Sequence, residues 1–155
     1  MIDTAPLAAP DNADFDGAIA DVEKQLGTLL IRARNSIRTH AVAIHPALQP
    51  QGFMVLTTLS RTGPRQQGWL AHELGSDKAM MSRTIKQLES LNFVTRTIDP
   101  SDGRAQLVSM TPEAHSRYDA NLAQVRQVLH DRLSEWDIDE VHRFAGLLAK
   151  IASLS

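Results

Sequence analysis

The sequence predicts a mainly α-helical fold with one small β-hairpin, and three observations support this prediction. Apolar residues recur at the three- and four-residue steps of a helix over most of the chain. Two short β-like runs, at 93–98 and 106–110, flank a turn-forming Asp-Pro-Ser-Asp-Gly-Arg segment at 99–104. Two helix-sized segments separated by a glycine directly precede this hairpin. We therefore expect two short helices and a hairpin at the centre of the chain.

Length and composition are those of an ordinary globular protein. At 155 residues and 43% apolar content, the chain can form one domain with a substantial core. Cysteine is absent, which excludes disulfides, thiolate catalysis and cysteine-based zinc sites. No apolar run approaches the roughly 20 residues of a membrane span, and the N-terminus lacks the basic start of a signal peptide. We expect a cytoplasmic protein that has no membrane partner.

The N-terminal part of the chain divides into a lead and a long helix. Residues 1–13 are rich in alanine, proline, aspartate and asparagine, and they predict a disordered lead. Residues 16–45 predict one long helix, because their apolar residues form a continuous face. Pro46 ends this helix, since a helix usually stops at or before the residue that precedes proline.

Three shorter helices are expected next, at 48–59, 66–74 and 78–91. Pro50 fits the first turn of the first one, where its missing N–H is not needed. Gly75 suits the C-terminal end of the second, since glycine tolerates the left-handed conformation found there. The pattern thus places two helices immediately before the hairpin.

The helix expected at 78–91 has two different faces. Asp77 is a good N-cap for it. Met81, Ile85 and Leu88 recur at helical spacing on an apolar face that suits a core. The other face carries Lys78, Ala79, Ser82, Arg83 and Lys86. This polar face is available for a partner.

Two helices are expected after the hairpin. Thr111 is an N-cap followed by Pro112 at the first helical position, and the helical spacing continues to Trp136. Asp137 and Glu140 form a capping-box-like start for a last helix, which runs almost to the C-terminus.

The long first helix and the last two helices carry apolar stripes that a small central domain cannot cover alone. The simplest partner is the same set of helices from a second copy, related by a two-fold axis. We therefore expect an obligate homodimer. A monomer in which the three long helices cover one another is the alternative.

The charge distribution favours an anionic partner for the centre of the chain. The net charge is −2, yet residues 61–104 hold seven Lys and Arg against five Asp and Glu. Such a positive island can bind phosphates, particularly when a dimer duplicates it. Two helices followed by a hairpin with a basic turn describe a winged helix-turn-helix. This arrangement puts one helix in the DNA major groove and an arginine beside the duplex.

Four stretches of the chain resemble the MarR family (multiple antibiotic resistance regulators), and the resemblance covers roughly residues 16–153. They are Leu-Gln-Pro-Gln-Gly-Phe-Met-Val-Leu-Thr-Thr-Leu at 48–59, Leu-Ala-His-Glu-Leu-Gly at 70–75, Ser-Arg-Thr-Ile-Lys-Gln-Leu-Glu-Ser-Leu-Asn-Phe-Val at 82–94, and the hairpin turn at 99–104 with its exit at 107–113. Each alone is a weak signal, and their order and spacing together are a strong one.

The resemblance implies a dimer of winged helix-turn-helix subunits joined by N- and C-terminal helices. It assigns 47–110 to the DNA-binding lobe, and 14–46 and 111–155 to dimerisation helices, within one intertwined domain. Members of the family are mostly repressors of nearby operons, and many release DNA when a small aromatic or phenolic acid binds. The expected partners are therefore double-stranded operator DNA, a second copy and a small effector.

On this hypothesis the polar face of the 78–91 helix enters the major groove. Ser82 and Arg83 contact base edges or adjacent phosphates, because arginine bidentate to guanine is the commonest specific contact. Lys78 and Lys86 hold phosphates. Relatives often have Ser and Thr at the start of this helix. Here Ala79 and Met80 stand there, and apolar contact suits a thymine methyl group, so the operator sequence cannot be carried over.

In the hairpin, or wing, Arg104 is expected near the tip of the turn, where it enters or flanks the minor groove. Asp102 orients Arg104 through a charged hydrogen bond, and Asp99 supports the turn. The family's effector pocket lies between the dimer helices and the DNA-binding lobe. The polar or aromatic candidates for this junction are Arg38, His40, His45 and Trp69.

Other classes of function have less support in the sequence. No nucleophile elbow, phosphate-binding loop or paired carboxylates point to an enzyme, and no motif requires a cofactor. The six histidines lack zinc-binding spacing, so no metal site is expected. Distant histidines can still converge in a fold, which keeps a metal-responsive regulator as an alternative. A winged-helix module that binds proteins instead of DNA is the other alternative.

Overall fold

A computed structural model describes residues 12–153, which form a mainly helical fold with a small antiparallel sheet, as predicted. The elements are α1 (Asn12–Ile44), α2 (Pro50–Thr62), β1 (Arg65–Gln66), α3 (Gln67–Glu73), α4 (Lys78–Ser90), β2 (Val94–Asp99), β3 (Asp102–Met110), α5 (Pro112–Leu133) and α6 (Ile138–Ala152). None of the described helices is both long and apolar enough to cross a membrane.

The start of α1 corrects the expected N-terminal boundary. The predicted lead covered residues 1–13, and residues 1–11 of it lie outside the described part of the chain. Asn12 and Ala13 belong to α1, so the predicted lead is two residues too long. Asp14 in the first turn favours this start, because a carboxylate stabilises the positive end of the helix dipole. At its other end α1 stops two residues before Pro46.

Local capping fixes where the later helices begin. The side chains of Asp77, Thr111 and Asp137 accept backbone N–H bonds in the first turns of α4, α5 and α6, at 2.7, 3.1 and 2.8 Å. Glu140 accepts the backbone N–H of Asp137 at 3.2 Å and completes the predicted capping box. Gly75, between α3 and α4, has a φ of +57°, where glycine has no Cβ penalty.

The sheet differs from the expected hairpin in two respects. It has three strands in the order β1-β3-β2, and the two-residue β1 was not predicted. Residues 67–73 form the third helix, whereas Gln66, its expected first residue, is extended and pairs with Leu107. The turn is also tighter than expected. Asp99 and Asp102 are paired, so only two residues lie at the tip of the wing.

The core lies between the helices and the sheet of the central lobe. Its largest fully buried side chains come from α2, α3, α4, β3 and the segment before β2. They are Phe93, Leu56, Leu70, Met81, Ile85, Leu88, Val55 and Val108. The end of α1 and the start of α5 close the lobe through Ile44, Ala114 and Tyr118. Most of α1, most of α5 and all of α6 lie outside this core.

The long helices therefore leave large apolar side chains exposed in the single chain, as their stripes suggested. On α6 the exposed fractions reach 65% at Ile138 and 52% at Leu147, and no residue of this helix is buried. Trp136 and Phe144 contact each other, with ring centroids 5.6 Å apart, and both remain partly exposed. In the described chain, the three long helices do not cover one another.

Gly52 of α2 is tightly packed against neighbouring side chains of the lobe. A Cβ atom at this position would lie 2.8 Å from Leu48 Cδ1 and 3.2 Å from Leu88 Cδ2, both of which are buried. We predict that Gly52→Val lowers the free energy of unfolding by about 1–3 kcal/mol through overpacking. Gly68→Val is the matched control, because nothing lies within 4 Å of a Cβ there. Chemical denaturation measures both, and equal stabilities of the two variants would contradict this packing.

Candidate nucleic-acid interface

The candidate interface starts from the two faces of α4. Met81, Ile85 and Leu88 are fully buried and pack α4 into the lobe. Along the opposite side Ser82 is half-buried and the other side chains are exposed. The exposed ones are Lys78, Ala79, Met80, Arg83 and Lys86. Because the inner face of α4 is fixed in the core, its outer face is held toward solvent in one orientation.

The positive charge of the lobe is concentrated on few side chains. Arg96 is paired with Glu89 at 2.9 Å, Arg61 lies 3.7 Å from Glu73, and Arg65 lies over an aromatic ring. The other four cations of the lobe have no ion-pair partner among residues 12–153, and they are Lys78, Arg83, Lys86 and Arg104. Unpaired exposed cations are the groups that a phosphate backbone can neutralise without breaking an existing ion pair.

Arg104 lies on the wing, although not at its tip. The expected turn included Arg104, whereas the structure places it in β3, two residues after the paired Asp102. Asp102 accepts the backbone N–H of Arg104 at 3.1 Å, so the expected hydrogen bond to its guanidinium is replaced by one to its main chain. Because the turn has only two residues, the Asp102 carboxylate accepts a backbone N–H at the start of β3. The Arg104 side chain is exposed and lines a polar groove with Gln67 and Gly68 of α3.

Asp99 holds the turn of the wing together. It is 7% exposed, and one carboxylate oxygen accepts the hydroxyl of Ser101 at 2.6 Å and the backbone N–H of Ser101 at 2.9 Å. The other oxygen accepts the amide of Gln66 at 2.9 Å, which ties the turn to β1. These bonds, first those of the Ser101 hydroxyl and the Gln66 amide, lower the pKa of Asp99 to about 2.

Arg96 is a structural residue that sequence reasoning missed, since the sequence shows it only as part of the positive island. Its guanidinium donates to Glu89 Oε1 at 2.9 Å and to Gln67 Oε1 at 3.1 Å, so it joins β2 to α4 and α3. One signal was available, because a two-residue period places Arg96 on the same strand face as the buried Val94.

Two of the expected effector residues support the fold locally. His45 Nδ1 accepts the backbone N–H of Ala47 at 3.1 Å, and the His45 ring meets the ring of Phe93 edge-on. His40 stacks on Phe53, with centroids 5.9 Å apart. His40 also lines a small hollow between α1 and α5.

The other two expected effector residues lie elsewhere. Arg38 lines a separate groove between α1 and the start of α2. Trp69 lies beneath the guanidinium of Arg65, 5.0 Å from its ring centroid, in a hollow beside Asp99. In the single chain, Arg38, His40 and Trp69 line three separate hollows, and a shared effector pocket stays a prediction. Within residues 12–153, no three His, Asp or Glu side chains are grouped so that they could hold a metal ion.

The arrangement of α3, the turn at Gly75, α4 and the wing defines a winged helix-turn-helix protein. The MarR family model matches residues 48–105, which cover α2 through the start of β3. The uncharacterized HTH-type transcriptional regulator YxaD of Bacillus subtilis is 28% identical over 104 residues, or 67% of this chain and 73% of that protein. YdgJ of the same organism, with the same description, is 27% identical over 63% of this chain and 59% of its own length.

Solved structures share the fold over most of the chain. A MarR family protein from Bacillus stearothermophilus superimposes with a TM-score of 0.77 at 17% identity, and the match covers 89% of this chain and 95% of that one. The chain thus contains, at residues 48–105, the helix-turn-helix region of a MarR family transcriptional regulator. It is therefore a regulator rather than an enzyme, and MarR regulators bind DNA.

The Asp99 contacts predict an unusual titration. Because the pKa of Asp99 in the folded chain lies below its ordinary value of 3.8, its ionised form contributes stability above about pH 4, and this contribution is lost as the pH falls through about 2. Carboxyl-carbon NMR should show a midpoint of about pH 2 for Asp99. Ser101→Ala should raise this pKa, because it removes the hydroxyl donor. Thr97→Ala, in the same strand and exposed, should leave it unchanged. A wild-type midpoint near 3.8 would contradict the hydrogen bonding of the turn.

Proposed function

We propose that two copies of this chain bind a two-fold symmetric operator in double-stranded DNA and repress transcription there until a small aromatic or phenolic acid releases them. The observation that carries this proposal is α4, whose apolar face is fixed in the core while its outer face presents unpaired cations. A helix of this kind, placed after α3 and before a wing, is suited to the major groove.

In this proposal α4 supplies both base contacts and phosphate contacts. Arg83 lies in the middle of the outer face and reads a guanine edge, with Ser82 beside it. Lys78 and Lys86, about two turns apart, bind phosphates and fix the register of the helix. Ala79 and the exposed Met80 supply apolar contact for a thymine methyl group in the first turn.

The wing extends the same interface beyond the major groove. Arg104 is exposed and unpaired, and it borders the groove between the wing and the start of α3. A narrow minor groove has an enhanced negative potential that attracts such a side chain. Asp99 supports the wing through the turn, and Asp102 supports it through the backbone of Arg104.

The dimer is the part of the proposal that the exposed apolar faces support. Residues 14–46 and 111–155 serve as dimerisation helices around a DNA-binding lobe at 47–110, with the stripes of α1, α5 and α6 packed on a second copy. Burying apolar surface is worth roughly 25 cal/mol per Å², so stripes of this length favour association. A two-fold dimer then presents two α4 helices to half-sites about one DNA turn apart.

The groove that contains Arg38 is the best-suited effector site. Arg34 and Arg38 border it, together with Pro46, Leu48 and Pro50. Two arginines beside apolar side chains suit an aromatic carboxylate, because guanidinium and carboxylate form charge-assisted hydrogen bonds. A ligand there weakens DNA binding only to the extent that it prefers the conformation that does not fit the operator.

The DNA contacts are tested with a duplex recovered by selection from a random-sequence pool. We predict that Arg83→Ala weakens binding by about 1–3 kcal/mol and relaxes the base preference at one position of each half-site. Lys86→Ala should weaken all sequences similarly and reduce the slope of affinity against salt by about 1 for each phosphate that is no longer neutralised.

Arg132→Ala is the matched control, since it removes the same charge from an exposed position on α5. Unchanged affinity and preference in Arg83→Ala would remove Arg83 from the interface. Recovery of no sequence at all would favour the protein-binding module over the DNA-binding regulator.

The effector site is tested by titrating the protein–DNA complex with a panel of benzoic and hydroxybenzoic acids. We predict that at least one acid releases the duplex, and that Arg38→Ala raises the concentration needed by about tenfold, the value of one charged hydrogen bond. Arg126→Ala, which removes an exposed arginine from α5, should leave it unchanged. Release that is equally efficient in Arg38→Ala would place the effector elsewhere.

A further inference from the structure

Arg96 occupies a position from which it can control the wing. Its side chain is 25% exposed and lies in the middle of β2. Its Nε donates to Glu89 in the last turn of α4, and its Nη1 donates to Gln67 at the start of α3. One guanidinium therefore connects the wing to both helices of the helix-turn-helix.

Beyond Arg96 the wing has little apolar support. Thr97 and Ile98 are exposed, with Ile98 at 69%. Near the turn the wing is anchored by polar groups, namely the bond from Gln66 of β1 to Asp99 and the pairing of β1 with β3. The orientation of the distal wing therefore depends more on polar contacts than on core packing. Hydrogen bonds are directional, whereas apolar packing is not.

The chemistry of the contact suits a role in orientation. A guanidinium is planar and donates in a fixed fork, so bonds to two partners fix its direction better than one bond would. Half-burial of the pair reduces screening by solvent and salt, whereas Arg61 and Glu73 are 71% and 41% exposed and 3.7 Å apart. The lobe thus contains one half-buried ion pair, Arg96–Glu89, and one exposed and longer ion pair, Arg61–Glu73.

We infer that Arg96 is a positioning residue that fixes the wing relative to α4, so that Arg83 and Arg104 reach one duplex at the same time. This inference rests on the proposed DNA-binding function. Arg96 itself is assigned no contact with DNA. Its effect passes through Glu89 and Gln67, and loss of the bridge leaves α4 seated in the core while the wing moves more freely.

A double-mutant cycle separates positioning from a general loss of stability. Affinity for the selected duplex is measured for Arg104→Ala and Arg83→Ala, each in the wild-type and the Arg96→Gln background. With the bridge intact, Arg104→Ala should raise the Kd by about tenfold or more. In Arg96→Gln the same change should raise the Kd by less than about threefold, while the factor for Arg83→Ala is retained.

Arg61→Gln is the matched control, because it removes the same charge from an exposed pair in the same lobe. In the Arg61→Gln background, Arg104→Ala and Arg83→Ala should each raise the Kd by the same factor as in the wild type. Glu89→Gln, which keeps the side-chain shape, is the milder second variant if Arg96→Gln does not fold. In the free protein, β2 and β3 amides should exchange about tenfold faster in Arg96→Gln than in Arg61→Gln.

An Arg104→Ala factor that is the same in the Arg96→Gln and wild-type backgrounds would overturn the inference. Failure of the proposed function gives a different result. If Arg104→Ala has no effect on wild-type binding, the proposed wing contact is wrong. In that case, hydrogen exchange in the free protein tests whether Arg96 fixes the wing. Unchanged exchange of the β2 and β3 amides in Arg96→Gln would overturn the inference.

Discussion

The burial of one face of α4 is the constraint on which the rest of the structure depends. Met81, Ile85 and Leu88 are fully buried, so the helix cannot rotate without exposing them to water. Asp77 caps its first turn and fixes where it begins. The core thereby determines that Arg83 and its neighbours are exposed, so the surface proposed to bind DNA follows from a packing requirement.

The wing is held by a different kind of force. Its outer strand residues are exposed, and directional polar contacts place it instead. Asp99 closes the turn and reaches β1 through Gln66, while Arg96 reaches α4 and α3. Apolar packing thus positions the helix, and hydrogen bonds position the hairpin.

The sequence predicted the helices because helical periodicity and capping are local signals, as Thr111, Asp137 and Gly75 illustrate. It did not predict β1, since a two-residue strand has no periodicity and exists only through its pairing with β3. The predicted wing turn was too wide, because Gly103 is a turn former in sequence and a strand residue in the structure. Arg96 was missed because its partners, Gln67 and Glu89, become neighbours only after folding.

The exposed stripes of α1, α5 and α6 connect the fold to its proposed action, because paired α4 helices require two copies. Light scattering of the purified protein, alone and with a duplex selected from random sequence, tests this most directly. The account predicts two chains in solution and two chains on a duplex whose selected half-sites lie about 10 base pairs apart. Single chains that enrich no sequence at low salt would contradict it.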